Sequence, residues 1–312
     1  MKGTLRIGTR GSKLALAQAE EVKSALEKEH PGLTCELVIL KTTGDDFTAW
    51  KEKPAALKGL FVKEIEEALL KEEVELGVHS AKDLEVDLPE GLAIGAVLPR
   101  KDPRDAAVLK NEGTFKDLPQ GSKVGVSSIR RRAQLLRIRR DLELLPLRGN
   151  VDTRLRKLEE GEVDALILAG CGLLRLGLER RISEWFDLAK MLPSPAQGAL
   201  ALEVRAEDAQ TVELLKGLED PNTHAEVNAE RAFLKALGGS CQVPIGALAR
   251  VEDGNLTLTG AVLSPDGLKQ VREKISGPTQ AAERLGRELA STLRAIGADR
   301  LLYGHWTEKT SK

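Results

Sequence analysis

Apolar side chains recur through Leu14, Ala17, Val22 and Leu26 at the spacing that lines one face of a helix, just after a short apolar-rich run at residues 5–8. A strand at 5–8 followed by a helix over 14–29 is therefore predicted. His30, Pro31 and Gly32 end that helix, since proline brings no N–H and glycine suits the turn beyond a helix end. A strand-like stretch at 35–40, a polar segment at 42–58, a helix around 62–71 and a strand at 75–79 follow. Strands alternating with helices predict βαβ units and a largely parallel sheet.

Lys101-Asp102-Pro103-Arg104 reads as a crossing, after which the pattern restarts with a strand at 123–126, helices at 129–140 and 151–160, and an apolar strand at 165–169 entered after Gly161. Pro193, Pro195 and Gly198 mark a second crossing, and the strand at 199–204 is expected to rejoin the first unit. Beyond Asp220-Pro221 the character changes to a helix at 225–237 and alternating strands at 246–250 and 255–262, with turns at Asp253-Gly254 and Pro265-Asp266-Gly267. A closing helix at 279–296 places Ala282, Leu285, Leu289 and Leu293 on one face. The expected organisation is a discontinuous α/β domain of residues 1–98 plus 199–217, an α/β domain of 104–192 and an α+β domain of 221–312.

Charge narrows the function classes. Lys and Arg total 47 against 48 Asp and Glu in 312 residues, a formal net charge of −1. No wholesale attraction to nucleic acid or to an anionic membrane is expected from that balance. Aromatic residues are 3% of the chain, too few for base-stacking platforms. The longest apolar run, residues 165–174, falls short of the roughly 18 residues that span a bilayer. The first twenty residues hold Lys2, Arg6, Arg10 and Lys13 without the apolar core of a signal peptide, so a cytoplasmic location is expected. Cys35, Cys171 and Cys241 lie far apart, which gives neither a disulfide framework nor a CxxC metal site.

Three helix starts carry arginines: Arg10-Gly11-Ser12, then Arg130-Arg131-Arg132 after Ser127-Ser128, then Arg148-Gly149-Asn150 with Arg154 and Arg156 beyond. Cations are unfavourable at a helix N-terminus unless an anion joins them, and free backbone N–H groups there favour that anion. The alternative is a solvated basic face. Arginine binds carboxylate and phosphate bidentately, which suits a ligand with many acidic groups. Neither a P-loop nor a GxGxxG after a strand is present, so nucleotide use is unsupported.

His79-Ser80-Ala81-Lys82-Asp83 follows a predicted strand at its carboxyl end, where open α/β sheets bind ligands. Asp83 could stabilise a developing cation or transfer a proton, or it could simply cap a turn. His79 has no second histidine nearby, which argues against a metal. Gly238-Gly239-Ser240-Cys241-Gln242-Val243-Pro244 presents a cysteine in a glycine-rich loop, either a nucleophile or covalent anchor or a core thiol like Cys35 and Cys171.

Taken together and in order, these segments resemble the hydroxymethylbilane synthase (porphobilinogen deaminase) family over essentially the whole chain. The resemblance rests on Leu5-Arg6-Ile7-Gly8-Thr9-Arg10-Gly11-Ser12, Lys58-Gly59-Leu60-Phe61-Val62-Lys63-Glu64, the His79 to Asp83 run, Asp102-Pro103-Arg104-Asp105-Ala106, Ser127-Ser128-Ile129-Arg130-Arg131, Arg148-Gly149-Asn150-Val151 and Cys241-Gln242-Val243-Pro244-Ile245-Gly246. It implies two periplasmic-binding-protein-like α/β lobes with mixed, mostly parallel sheets, plus a small α+β domain. It implies a dipyrromethane cofactor joined to Cys241 by a thioether and made from the enzyme's own substrate.

By the same resemblance, porphobilinogen loses ammonia, the resulting methylene pyrrolenine is attacked by the free α position of the terminal pyrrole, and four such steps precede hydrolytic release of linear hydroxymethylbilane. Asp83 corresponds to the catalytic carboxylate. Arg10, Ser12, Lys58, Phe61, Lys82, Ser127, Ser128, Arg130, Arg131, Arg148, Arg154, Arg175 and Gln197 correspond to positions around the cofactor and the growing polypyrrole. Residues 46–56 correspond to a lid, and a monomer is implied. The chain departs from the family's usual residues at Thr43, Ala81, Leu84, Glu85, Val126, Leu174, Ala196 and Ser240. The rival reading is a two-lobed polycarboxylate-binding protein, which needs the arginines but not Cys241.

Overall fold

A computed structural model describes residues 3–41, 62–239 and 243–303. Thr43, the segment 46–56, Lys58, Phe61, Ser240 and Cys241 lie outside the described residues. In chain order the first run is β1 (Gly3–Arg10), α1 (Lys13–Glu29), β2 (Leu33–Leu40), α2 (Lys63–Leu70), β3 (Leu76–Ser80) and β4 (Leu92–Val97). After a crossing come β5 (Asp105–Leu109), β6 (Lys123–Gly125), α3 (Ile129–Ile138), β7 (Glu143–Leu145), α4 (Val151–Glu159), β8 (Ala165–Ala169), α5 (Gly170–Arg175) and β9 (Glu184–Trp185). A second crossing leads to β10 (Leu200–Arg205), α6 (Ala209–Leu215) and α7 (Pro221–Ala236), then to β11 (Ile245–Glu252), β12 (Asn255–Leu263), β13 (Gln270–Pro278), α8 (Ala282–Ala295) and α9 (Ala298–Tyr303).

Two five-stranded sheets result, ordered β2-β1-β3-β10-β4 and β7-β6-β8-β5-β9. In each, only the fourth strand in that order runs against the others: β10 pairs antiparallel with β3 and β4, and β5 with β8 and β9. The cause is where the chain enters. Leu200 lies opposite Ser80 and Asp105 opposite Ala169, so each reversed strand starts where its neighbour ends. A strand reached directly by a crossing begins at the cleft side, whereas the other strands of its sheet finish there. These sheets, with their helices, are the two lobes.

Lobe 1 is closed by α1, which buries Ala15, Ala19, Val22 and Leu26 at helical spacing. Val22 and Leu26 share one cluster with Leu5, Ile7, Leu76 and Leu202. Lobe 2 packs Phe115, Leu135, Ile167 and Phe186 together. In the C-terminal unit α7 and α8 cover the antiparallel β11-β12-β13 sheet around Phe233, Leu258 and Leu289. A Cβ at Gly286 would lie 2.4 Å from the Ala229 carbonyl oxygen, so the two helices approach as closely as only glycine allows.

One buried ion pair ties the units. Arg100, in the first crossing, donates to both oxygens of Glu230 at 2.7 and 2.9 Å. The same carboxylate accepts the backbone N–H groups of Ala196, in the second crossing, and of Ala249, in β11.

The helix predicted from residue 225 starts four residues earlier, because the Asp220 side chain accepts the Thr223 N–H at 2.6 Å and proline at the first turn needs no donor. The helix predicted at 279–296 opens with a 3-10 turn over Thr279–Ala281.

Candidate active site

The cleft between the lobes encloses a cavity of about 230 Å³. Lobe 1 lines it with Arg10, Ser12, Lys82 and Asp83, and lobe 2 with Arg131, Arg154 and Arg175. Ser12 caps α1, accepting the Ala15 N–H at 3.2 Å, and so fixes the turn that carries Arg10.

Asp83 sits at the end of a single 3-10 turn, Ala81–Asp83, that follows β3. The turn is held from behind. The Ala81 N–H donates to the Ala199 carbonyl at 3.1 Å. Arg231, from α7, donates to the carbonyls of Leu84, Glu85 and Val86, the Glu85 contact being 2.6 Å. Ala81 and Leu84 are buried in a cluster with Val62, Val97 and Val227, which leaves Lys82 and Asp83 facing the cleft. Two of the residues at which this chain departs from the resemblance are therefore packing positions.

The arginines at α3 divide. Ser128 caps the helix, accepting the Arg131 N–H at 3.4 Å. Arg130 donates to Asp105 Oδ2 at 2.7 Å and to the Leu192 carbonyl at 2.6 Å. Arg131 Nε donates to Asp105 Oδ1 at 2.9 Å and Nη2 to Gln197 Oε1 at 3.3 Å. Arg132 is exposed and donates to the Leu144 carbonyl. Part of the anion that this cluster of cations requires is thus the protein's own Asp105. Burial alone would push the Asp105 carboxyl up. The Arg130 and Arg131 guanidiniums and the hydrogen bonds from Arg130 and Gln197 outweigh it and hold the carboxyl well below the usual range.

Gln197 joins the lobes. Its Nε2 donates to the Pro103 carbonyl at 2.7 Å and to Asp105 at 2.9 Å. Its Oε1 accepts from Arg131 and, at 3.4 Å, from Lys82. Arg175 donates through Nε to Glu21 at 3.1 Å and through Nη2 to the Gly198 carbonyl at 3.1 Å. Arg154 donates to the Gly149 carbonyl at 2.7 Å, and its guanidinium is pulled down to about 10, by burial first and by Arg131 next.

Other nominated residues sit differently. Ser127 donates to the Leu147 carbonyl and Arg148 is exposed; neither lines the cavity, nor do Ser128, Arg130 and Gln197, which stand behind its wall. Val126 is buried in the lobe 2 core, and Leu174 is half-buried beside Arg175. Ala196 adopts φ +61°, the left-handed region that a side chain disfavours. Cys35 and Cys171 are buried, and burial pushes the Cys35 thiol up to about 11.

Sequence reasoning did not nominate Asp105, Lys13, Gln18, Asn150 or Asp152. The last four line the cavity, with Gln18 donating to Ser80 at 2.8 Å and Lys13 lying 3.8 Å from Asp152 across the mouth. Among the described residues no group of three His, Cys, Asp or Glu side chains could hold a metal, and no helix is long and apolar enough to cross a membrane.

Known proteins resemble the chain throughout. Residues 5–213 match the porphobilinogen deaminase dipyrromethane cofactor-binding domain, and residues 224–295 match the porphobilinogen deaminase C-terminal domain. The porphobilinogen deaminase of Syntrophobacter fumaroxidans is 49% identical over 298 residues, covering 96% of this chain and 96% of its own. That of Geobacter sulfurreducens is 48% identical over 308 residues, covering 99% and 96%. Among solved structures, the methionine-binding protein MetQ has a TM-score of 0.46 and 16% identity, covering 69% of this chain and 89% of its own. With both parts of the family matched in order, and relatives near half identity over nearly the full length, the chain belongs to the porphobilinogen deaminase family.

Proposed function

We propose that this protein is a hydroxymethylbilane synthase, joining four porphobilinogen molecules in turn onto a dipyrromethane primer held by Cys241 and releasing the linear tetrapyrrole by hydrolysis. The observation that carries the reading is the convergence of Asp83 from lobe 1 with Arg131, Arg154 and Arg175 from lobe 2 on one cavity. A pyrrole bearing acetate and propionate groups needs cations for its carboxylates and one carboxylate for its N–H and its developing positive charge. The cleft contains both.

The donor set fits the cofactor. Arg154, whose guanidinium burial and Arg131 pull down, gains a partner when a polycarboxylate enters. Arg10 and Lys82 face the same cavity from lobe 1. When bound, the dipyrromethane supplies the nucleophilic pyrrole carbon and remains attached after product leaves. Asp83 accepts the substrate's pyrrole N–H and stabilises the positive charge that grows as ammonia departs. The guanidiniums hold carboxylates in fixed orientation, which sets the reacting carbons in line. Gln197, joined to both Lys82 and Arg131, keeps the two halves of the site in register.

The domain limits given above, a monomeric state and a cytoplasmic location belong to the same reading. Intact-mass measurement of the purified protein tests it. A mass exceeding the sequence by two deaminated porphobilinogen units, and absent from Cys241→Ser, is expected. A bare mass in protein that also stays bare and inactive after incubation with porphobilinogen favours a polycarboxylate-binding protein instead.

A further inference from the structure

Two buried arginines share one buried acid in lobe 2. Asp105 is fully buried, Arg130 is 4% exposed and Arg131 8%. Asp105 is engaged on both oxygens, Oδ2 by Arg130 and Oδ1 by Arg131 and Gln197. Its contact with Arg131 is side-on, through Nε and Nη2, each at 2.9 Å. One carboxylate against two guanidiniums leaves about one unit of positive charge unmatched, and Arg154 adds to it. Burial pulls Arg130 below its ordinary value despite Asp105, as expected where cations outnumber the acid.

We propose that Asp105 is a positioning residue that acts as an internal stand-in for a ligand carboxylate, engaging the cleft-lining Arg131 side-on so that it grips a ligand carboxylate less tightly, while Arg130, on the acid's other oxygen, stays behind the cavity wall. The reason lies in the reaction, and the inference rests on the proposed function in that respect. A polyanion that lengthens by one unit per step has to be held and then shifted. Binding that is stronger in the resting complex than in the step that moves the chain on deepens the bound state and slows turnover once the site is filled. Asp105 takes up part of the Arg130 and Arg131 charge, so each carboxylate is held firmly enough to orient and loosely enough to move on. Its hydrogen bond to Gln197 carries the same constraint to the Lys82 side of the cleft.

Asp105→Asn keeps the shape and removes the charge. In the holoenzyme it is expected to lower KM and kcat together, each by about tenfold, and to lengthen the lifetime of enzyme-bound intermediates observed by native mass spectrometry after a pulse of porphobilinogen. A scaffolding role alone would raise KM by letting Arg131 drift, and that result overturns the proposal, as do unchanged constants. Asp105→Glu keeps the charge and is expected to hold KM near wild type. A second measurement covers an Asn variant too unstable to assay: citrate, a simple polycarboxylate, should raise the melting temperature of cofactor-free Asp105→Asn more than that of cofactor-free wild type. Equal shifts overturn the proposal. A wild-type protein that fails to turn over porphobilinogen refutes the functional reading and leaves the citrate comparison intact.

Discussion

The two lobes share a sheet plan and bury opposite charge. Behind the lobe 1 wall lie Glu66 from α2, Glu203 from β10 and His79 from β3, with His79 Nε2 2.9 Å from Glu203. In lobe 2 the buried charges are Arg130 and Arg131 around a single acid. Lobe 1 thus sets Asp83 before an acid-rich background, and lobe 2 offers surplus cation. The same architecture has been given two electrostatic tasks. In the proposed mechanism Asp83 of lobe 1 does the proton chemistry, and the cation surplus of lobe 2, with Arg10 and Lys82 of lobe 1, orients the polyanion.

The comparison breaks most visibly at Asp83. Asp83→Asn should retain the fold and lose about 10²- to 10⁴-fold in kcat, measured by ammonia release alongside the melting temperature. Wild-type-like turnover would take Asp83 out of the mechanism. On the other lobe, Arg131→Leu should cost about 10- to 100-fold and in a graded way, with bound intermediates of fixed length accumulating. Unaltered product formation would remove Arg131 from carboxylate binding.

Glu66 sharpens the lobe 1 side. Burial first, then the charges of Glu203 and Glu85, push its carboxyl from 4.5 up to about 7, while His79 opposes them. Of the other charged groups on strands packed against α2, Arg205 donates to the Leu69 and Val74 carbonyls and Arg6 pairs with Glu75. A carboxyl raised in the fold binds its proton more tightly folded than unfolded. Its stabilising contribution is therefore complete below the ordinary range and is lost as pH rises through about 7. Glu66→Gln should flatten that part of the stability profile, gaining on the order of 2 to 3 kcal/mol at alkaline pH relative to wild type. Chemical denaturation at several pH values measures it, and parallel wild-type and variant profiles would rule the cluster out. The smallest effect is at the second crossing. Ala196→Gly relieves a left-handed alanine and should stabilise by about 1 kcal/mol, read as a higher denaturation midpoint without change in kcat.

Much of this division was readable from sequence where the signal is local. The α1 and α8 faces, β8 and the two crossings follow from periodicity and from proline and glycine. β13 escaped because Gln270–Pro278 is an edge strand of mostly polar, partly exposed residues with no apolar alternation. β5 escaped because Asp105–Leu109 is short and alanine-rich. The helix-start arginines pointed to an anion, and that anion is partly Asp105, 25 residues before Arg130 in sequence. No spacing rule places an acid at the start of β5 between two arginines at the start of α3. Gln197 was reached through the family resemblance, and its role as a bridge depends on contacts to Lys82 and Asp105 that are 115 and 92 residues away.

The proposed mechanism puts the proton chemistry at Asp83 on lobe 1 and the larger share of polyanion retention on lobe 2. Its most direct test is intact-mass spectrometry of holo Asp83→Asn and holo Arg131→Leu after the same limited exposure to porphobilinogen. Asp83→Asn should keep the primer mass and add almost no units, whereas Arg131→Leu should add units and stop at an intermediate number. Identical mass distributions in the two variants, whether both bare or both fully elongated, would contradict the division.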